Sequence, residues 1–344
     1  MKPQPGEQPR RGPQQPHRRR GAGSVEGAED GKTRCSAFLR FSLRLCVHAL
    51  ALASFLLSTR SVEAADTTLV LGRISDDPKR HYDQLRPLLD YIVPRMRDVG
   101  IREGRILMAR DAQQMASYLR RGRVDWVTET AGTGLWLVER SAAKLLVATE
   151  RDGVALYRSV IFVRRDSGIR GLAELRGHSI AFQNPNSTSA YFAPASALLR
   201  AGMDLEVLLS PSDRPRATGV GYVFGQSESN IATWVHKRLV DAGAFSDLDW
   251  NSLERMPSSF RSDLSVIHQT RPFPRAVEVV RADLDAARAE RLRQLLLLAG
   301  SDPDAREPLR RFFNTDRFLP IEHEMRDALE RLREDVRRVR EALE

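Results

Sequence analysis

The sequence predicts an α/β fold in two lobes joined by two interlobe crossings, with a separate helix at the C-terminus. Three observations carry this. From Thr67 onward, short apolar runs alternate with amphipathic stretches, the rhythm of strand and helix in a largely parallel sheet. Two such series are separated by a strand-like segment at 154–164 and again by Arg271-Pro272-Phe273-Pro274, an extended connector fixed by two prolines. Beyond Met325 the apolar spacing changes to a heptad.

Taken in chain order, residues 1–65 stand apart. The stretch 1–33 is rich in Pro, Gly, Gln and Arg and has almost no large apolar side chain, so it cannot offset its ordering entropy by burial. An apolar run at 38–57 follows, then Val62-Glu63-Ala64-Ala65, with small residues at the −3 and −1 positions of a cut near Ala64 or Ala65. A basic start, a short apolar run and small residues predict a cleavable secretory signal peptide and a periplasmic mature protein. A membrane anchor is the alternative, because the run approaches the ~20 residues of a span. Arg40, Arg44 and His48 inside it argue against a stable one.

The same leader holds both cysteines, Cys35 and Cys46, and Cys46 follows Leu45 and not the small residue of a lipid-attachment site. The remaining chain has no thiol, which excludes disulfides, thiolate metal sites and cysteine nucleophiles there. Most of the net charge of +9 also belongs to the leader, which carries 11 Lys/Arg against 5 Asp/Glu. The rest holds 43 basic and 40 acidic residues with no basic stripe interleaved with aromatics, so nucleic-acid binding is not expected.

The first lobe is expected over 66–155 and 272–320. It opens with a strand at 67–74 and a helix at 83–99 that places Leu85, Leu88, Leu89 and Ile92 on one face. A strand at 105–108, a helix at 112–121 and strands at 124–128 and 145–149 follow. The second lobe, 156–271, reads as strands at 179–182, 219–224, 240–245 and 264–269 with helices at 189–201, 230–239 and 248–255. A strand at 276–280 and a helix at 283–299 return to the first lobe. In the last segment, 321–344, Met325, Leu329, Leu332, Val336, Val339 and Leu343 are spaced 4-3-4-3-4, a seam of about three heptads. That seam either packs on its own lobe or makes a dimer or partner contact through 325–343.

Function is carried by Gln183-Asn184-Pro185-Asn186-Ser187-Thr188-Ser189, which follows a strand and opens a helix. Consecutive hydroxyls, free backbone N–H groups and the positive end of the helix dipole meet there, a set of donors suited to a tetrahedral oxyanion. An ordinary helix cap is the competing reading. Other motifs fail. Gly219, Gly221 and Gly225 are one residue too widely spaced for a dinucleotide fingerprint and enter a strand. The histidines at 81, 178, 236, 268 and 323 are dispersed, with no zincin pair. Trp126 and Trp136 read as core.

The 187–189 turn resembles that of the phosphate/phosphite/phosphonate-binding family of ABC transporter substrate-binding proteins. So do Tyr157-Arg158-Ser159-Val160-Ile161-Phe162-Val163, Leu172-Ala173-Glu174-Leu175-Arg176-Gly177 and Leu88-Leu89-Asp90-Tyr91-Ile92. Val240-Asp241-Ala242-Gly243-Ala244 and Phe312-Phe313-Asn314-Thr315-Asp316-Arg317-Phe318 complete the likeness, in matching order across roughly 67–320. The resemblance implies the type II periplasmic binding protein fold, closing over a ligand that is delivered to an ABC permease in the inner membrane. It puts Ser187, Thr188 and Ser189 on phosphorus-bound oxygens and brings Tyr157, Ser75 and Asp76 to the cleft. A turn formed by Thr128, Glu129 and Thr130 would face them.

Two departures from that pattern bear on the ligand. Thr128-Glu129-Thr130 stands where an aromatic residue or Gly-Pro is common, and Ser227, in Gly225-Gln226-Ser227-Glu228, stands where a histidine is. Losing an imidazole and gaining an acid favours a protonated phosphate, or a ligand with an amine for Glu129, Glu228 or Asp241. Of these acids Asp241 has the strongest claim to a purely structural role.

The leading function is therefore the extracytoplasmic solute-binding component of an ABC uptake transporter, taking a phosphate- or phosphonate-like anion. The alternative is a periplasmic sensor on the same module, passing ligand occupancy to a signalling partner through the C-terminal helix. No cofactor is called for, and an enzyme is not expected, because no acid is placed beside a nucleophile.

Overall fold

The computed structural model describes residues 67–343; the leader, its cleavage site and both cysteines lie outside that range. The chain runs β1 (Thr68–Ile74), α1 (Pro78–Ile92), a 3₁₀ segment (Val93–Val99), β2 (Glu103–Ala109), α2 (Ala112–Arg120), β3 (Trp126–Thr130), α3 (Ala131–Ser141) and β4 (Lys144–Arg151). After the short β5 (Leu156–Tyr157) come β6 (Ser159–Arg164) and β7 (Ser179–Phe182), then a wide helical turn (Thr188–Phe192) that leads into α4 (Ala193–Arg200). The second lobe continues with β8 (Asp204–Val207), β9 (Gly219–Phe224), α5 (Glu228–His236), β10 (Ala242–Ser246), α6 (Asp247–Asn251), α7 (Ser258–Asp263) and β11 (Leu264–Gln269). The return is β12 (Phe273–Pro274), β13 (Ala276–Val280), α8 (Ala286–Ala299), α9 (Arg306–Arg311), β14 (Thr315–Leu319) and α10 (His323–Leu343).

One sheet has the order β14-β4-β13-β3-β1-β2, the other β11-β6-β10-β7-β9-β8. In the first, β1, β2 and β3 are parallel, while β13 lies antiparallel between β3 and β4. The reversal follows from the path of the chain: β4 leaves at the end nearest the second lobe, and β13 comes back through that same end. For the same reason β6 enters the second sheet antiparallel to β10. The two crossings pair with each other, β5 antiparallel to β12, with Tyr157 opposite Phe273 and their rings edge-on at 4.8 Å. The expected strand at 154–164 is thus two strands, broken at Arg158, whose backbone N–H donates to Asp247 (3.1 Å) where the chain changes sheet.

Helix α1 buries Leu85, Leu88, Leu89 and Ile92, as the spacing predicts, and Asp77 caps it by accepting from the Arg80 N–H, with Pro78 at its first position. Its fourfold-spaced leucines enter a core shared with α8 and α9 on one face of the first sheet. Helix α3 has no sequence signal of its own, because it opens Ala131-Gly132-Thr133-Gly134 and glycine disfavours helix interiors. The glycines are required by packing. A Cβ on Gly134 would stand 2.3 Å from Val277 Cγ2, and one on Gly132 would stand 2.9 Å from Thr188 Oγ1.

The heptad seam is helical, and its destination is now fixed. Leu329, Leu332, Val336 and Val339 are buried against the body of the molecule, in the same apolar cluster as Leu135 and Trp136 of α3 and Ala193 and Leu198 from the α4 region. Asp335 is held by Ser196 Oγ (2.6 Å) and Arg200 (2.7 Å), both on α4. Arg340 lies over Trp136 (5.1 Å) and over Phe192 (4.9 Å), one ring from each lobe. This corrects the dimer or partner alternative for 325–343: the seam spends its apolar residues within the chain. Burying each such side chain stabilises by about 1.5–3 kcal/mol, which a second chain cannot then collect.

Candidate functional site

The 187–189 turn forms because Pro194 has no N–H for the carbonyl four residues back. That carbonyl, Ala190 O, accepts instead from Gln183 N (3.0 Å), and the first helical turn opens to let Phe192 N reach Ser187 O (3.0 Å). Ser187 caps the turn, its Oγ accepting from Ala190 N (3.1 Å). The turn sits at the carboxyl end of β7 and meets the amino end of α3 from the other lobe. Thr188 Oγ1, fully buried, accepts from Gly132 N (2.9 Å). Thr133 Oγ1 donates to Asn186 O (2.8 Å), and Thr130 Oγ1 does so at 3.4 Å. A hydroxyl that accepts one bond keeps its proton to donate, so Ser187 and Thr188 retain donor capacity.

Ser189 and Tyr157 form a buried pair beneath the turn. The Tyr157 hydroxyl hydrogen-bonds Ser189, and burial pushes it up to about 12, so it stays protonated and can donate. Ser159 Oγ donates to Ser189 O (2.6 Å) and fixes the turn's floor. In the first lobe Ser75 lies just past β1, paired with His81 Nδ1 at 2.7 Å, and Asp76 beside it is exposed. The expected turn at Thr128, Glu129 and Thr130 is instead the last three residues of β3. Thr128 Oγ1 donates to Glu278 (2.9 Å), while Glu129 accepts from Ile74 N (2.9 Å) and faces Arg73 at 3.7 Å. Glu129 therefore ties β3 to β1 and is buried in doing so.

Opposite these, Ser227 caps α5 by accepting from Asn230 N (3.2 Å). Glu228 accepts from Gln183 Nε2 (2.6 Å), and its carboxyl is raised by burial and then by the neighbouring Asp249. Asp249 is raised by burial as well, against the bonds from Ser246 that stabilise its charge. Asp241 is a correction: it precedes β10, at the far end of that strand from the turn. There it accepts from Ser179 N (2.9 Å) and Ser179 Oγ (3.0 Å) and joins the starts of β7 and β10. Its sequence signal, an acid beside a strand, does not tell which end of the strand it occupies.

Four residues that the sequence reading passed over stand here. Asp249 forms an acid pair with Glu228; Arg73, Arg151 and Arg275 bring positive charge from the first lobe and the return crossing. The available signal was a cation at or next to the carboxyl end of a strand, Arg73 in Thr68–Ile74 and Arg151 in Lys144–Arg151. Two cavities lie elsewhere. One of about 410 Å³ is bordered by Asp302, Arg306, Asn314 and Asp316, the other of about 430 Å³ by Arg200, Arg271, Arg331 and Asp335; neither includes a residue of the turn. Among the described residues no cluster of His, Cys, Asp and Glu is arranged to hold a metal ion, and no helix is long and apolar enough to cross a membrane.

Known structures place this architecture. XAC2383 from Xanthomonas citri, bound to chloride ion, is 52% identical, with a TM-score of 0.77 over 80% of this chain and 99% of that one. A second structure of XAC2383, bound to ATP, is 51% identical, with a TM-score of 0.77 over 81% of this chain and 100% of that one. PhnD1 from Prochlorococcus marinus, in complex with methylphosphonate, is 17% identical and shares the type II periplasmic binding fold, with a TM-score of 0.59 over 80% of this chain and 98% of that one. The family model described as ABC transporter, phosphonate, periplasmic substrate-binding protein matches residues 73–325, and the chain belongs to that family, one of binding proteins and not of enzymes.

Proposed function

We propose that this protein is the extracytoplasmic solute-binding component of an ABC uptake transporter, and that it captures a small phosphoryl-bearing anion where its two lobes meet. The observation that supports this most is the 187–189 turn. Its hydroxyls lie at the start of a helix, at the carboxyl end of β7, and that of Thr188 touches the amino end of α3 from the opposite lobe. Gly132 N and Ala190 N are taken by Thr188 and Ser187, but two converging helix starts leave the hydroxyl protons and positive dipole ends, without a full charge. The XAC2383 structures with chloride and ATP fit a site that prefers anions, phosphoryl groups among them. Delivery to an inner-membrane permease follows from the family reading.

The desolvated pair Glu228 and Asp249 supports a ligand with a cationic part on the second-lobe side, since an ammonium would restore the charge that burial costs them. The sensor alternative rested partly on the heptad seam, which packs inward, and the uptake reading is preferred.

A thermal-shift series with phosphate, methylphosphonate, 2-aminoethylphosphonate and ATP tests the proposal. At least one should raise the melting temperature of the wild-type protein. Ser187→Ala and Ser189→Ala should each weaken that ligand by roughly 10- to 100-fold, the worth of a hydrogen bond to a charged group. Undiminished stabilisation in both variants removes the turn from the site.

A further inference from the structure

Arg73 and Arg151 reach the same ring. Their guanidinium carbons lie 4.6 and 4.7 Å from the centroid of Phe313. Phe313 and Asn314 hold φ of 55° and 51°, a left-handed backbone that a phenylalanine rarely adopts without reason.

The guanidiniums of this stack are short of hydrogen-bond partners. Arg73 donates to Thr128 O (2.9 Å) and lies 3.7 Å from Glu129. Arg151 is only 8% exposed, and its side chain makes one long bond, to Thr128 Oγ1 at 3.4 Å. Among the described residues no carboxylate lies within the 4.0 Å of an ion pair with Arg151. The Nε atoms of both arginines are buried without a partner. Glu278 is coupled to Arg151 through space but makes no ion pair with it: its oxygens accept from Trp126 Nε1 (2.6 Å), Thr128 Oγ1 (2.9 Å) and Thr149 Oγ1 (2.9 Å), and burial raises its carboxyl against the pull of Arg151 and these three donors. Burial, then Arg73, pulls Arg151 down to about 10, so it is still charged at neutral pH. Arg275, 3.3 Å from Asp152, adds a third cation. Glu278 and Glu129 offset part of the Arg151 charge, but a buried guanidinium with unsatisfied N–H groups is costly, and Arg73 beside it makes it more so. A bound anion would remove that cost.

Strand β3 links the arginines to the turn. Thr128 and Thr130 share one face of β3, about 7 Å apart at strand spacing. Thr128 touches Arg151, and Thr130 reaches Asn186. We propose that Arg151, with Arg73 beside it, is a second anion subsite. The ligand then carries two anionic groups, as a diphosphate or the phosphate chain of a nucleotide does, with one group on the 187–189 turn and the other on the guanidiniums. This inference rests on the phosphoryl-binding reading above and narrows its ligand class.

Calorimetric titration of the purified protein with methylphosphonate, pyrophosphate and ATP tests it, in the wild type and in Arg151→Met and Arg73→Gln. The wild type should bind pyrophosphate or ATP at least about tenfold more tightly than methylphosphonate, and Arg151→Met should remove that advantage while changing methylphosphonate affinity less than about twofold. The ligand-free melting temperature of Arg151→Met should not fall, because a buried guanidinium with unsatisfied N–H groups has gone. Equal losses for all probes, no loss, or a lower ligand-free melting temperature with unchanged affinities would overturn the subsite. If Arg151→Met fails to fold, Arg73→Gln and the wild-type preference carry the test, and a wild type that binds methylphosphonate as tightly as pyrophosphate and ATP overturns it. Such a result leaves the phosphoryl-binding reading standing, whereas a wild type that binds none of the three probes sinks both.

Discussion

His81 shows how much of this site is set by burial of single side chains. Only 8% exposed and 2.7 Å from Ser75 Oγ, it is lowered to about 4, first by burial and then by Arg73 and Arg80. In the unfolded chain it titrates near 6.5. Between those values the unfolded state binds a proton that the folded state refuses, so stability must fall as pH drops from about 6.5 to about 4 and level off below. His81→Gln should flatten that limb. Urea midpoints measured from pH 4 to 7 check this, and parallel slopes in the two proteins would show that His81 does not carry the dependence. Glu129 shows the limit of residue-level reading. Its chemical type suggested a ligand contact, but its oxygens go to the Ile74 N–H and toward Arg73. A single chain cannot reveal which neighbour consumes an acid.

Among the elements, α10 and α3 mark opposite extremes of legibility. The heptad made α10 plain as a helix, because a strict apolar spacing survives any choice of partner. The partner itself was not legible: α3, α4 and the return crossing all present apolar surface at long sequence distance. Leu332 is 1% exposed at that junction, so Leu332→Ala should destabilise the fold by about 2–5 kcal/mol. Denaturant titration measures the loss, and sedimentation should find the same oligomeric state before and after. A change of oligomeric state instead would restore an intermolecular role for the seam. Helix α3 was invisible because Gly132 and Gly134 hide it, and both glycines answer to groups far away in sequence, Thr188 and Val277.

For the molecule as a whole, affinity depends on how the lobes meet as well as on what they offer. The β5–β12 ribbon holds the crossings together, and Thr133 Oγ1 donates across the lobes to Asn186 O at 2.8 Å. Thr133→Val keeps the shape and deletes that bond, whose net worth is about 0.5–1.5 kcal/mol. Ligand affinity should fall by roughly 2- to 10-fold through a smaller closed population, with the change in the dissociation rate. Stopped-flow release measures this. An unchanged dissociation rate would mean that the contact does not hold the closed form.

Most of the order of strands and helices, the two crossings, the C-terminal helix and the hydroxyl-bearing turn follow from the chain's own local pattern, whereas α3 and the break between β5 and β6 do not. Apolar periodicity, proline geometry and capping act over a few residues and need no knowledge of the rest. Only the tertiary structure decided that Asp241 lies at the wrong end of its strand and that the heptad faces inward. It alone set Arg73 and Arg151 together on Phe313, residues 73, 151 and 313 being distant in the chain. Burial and charge balance are properties of groups brought together by folding, and no local pattern records them.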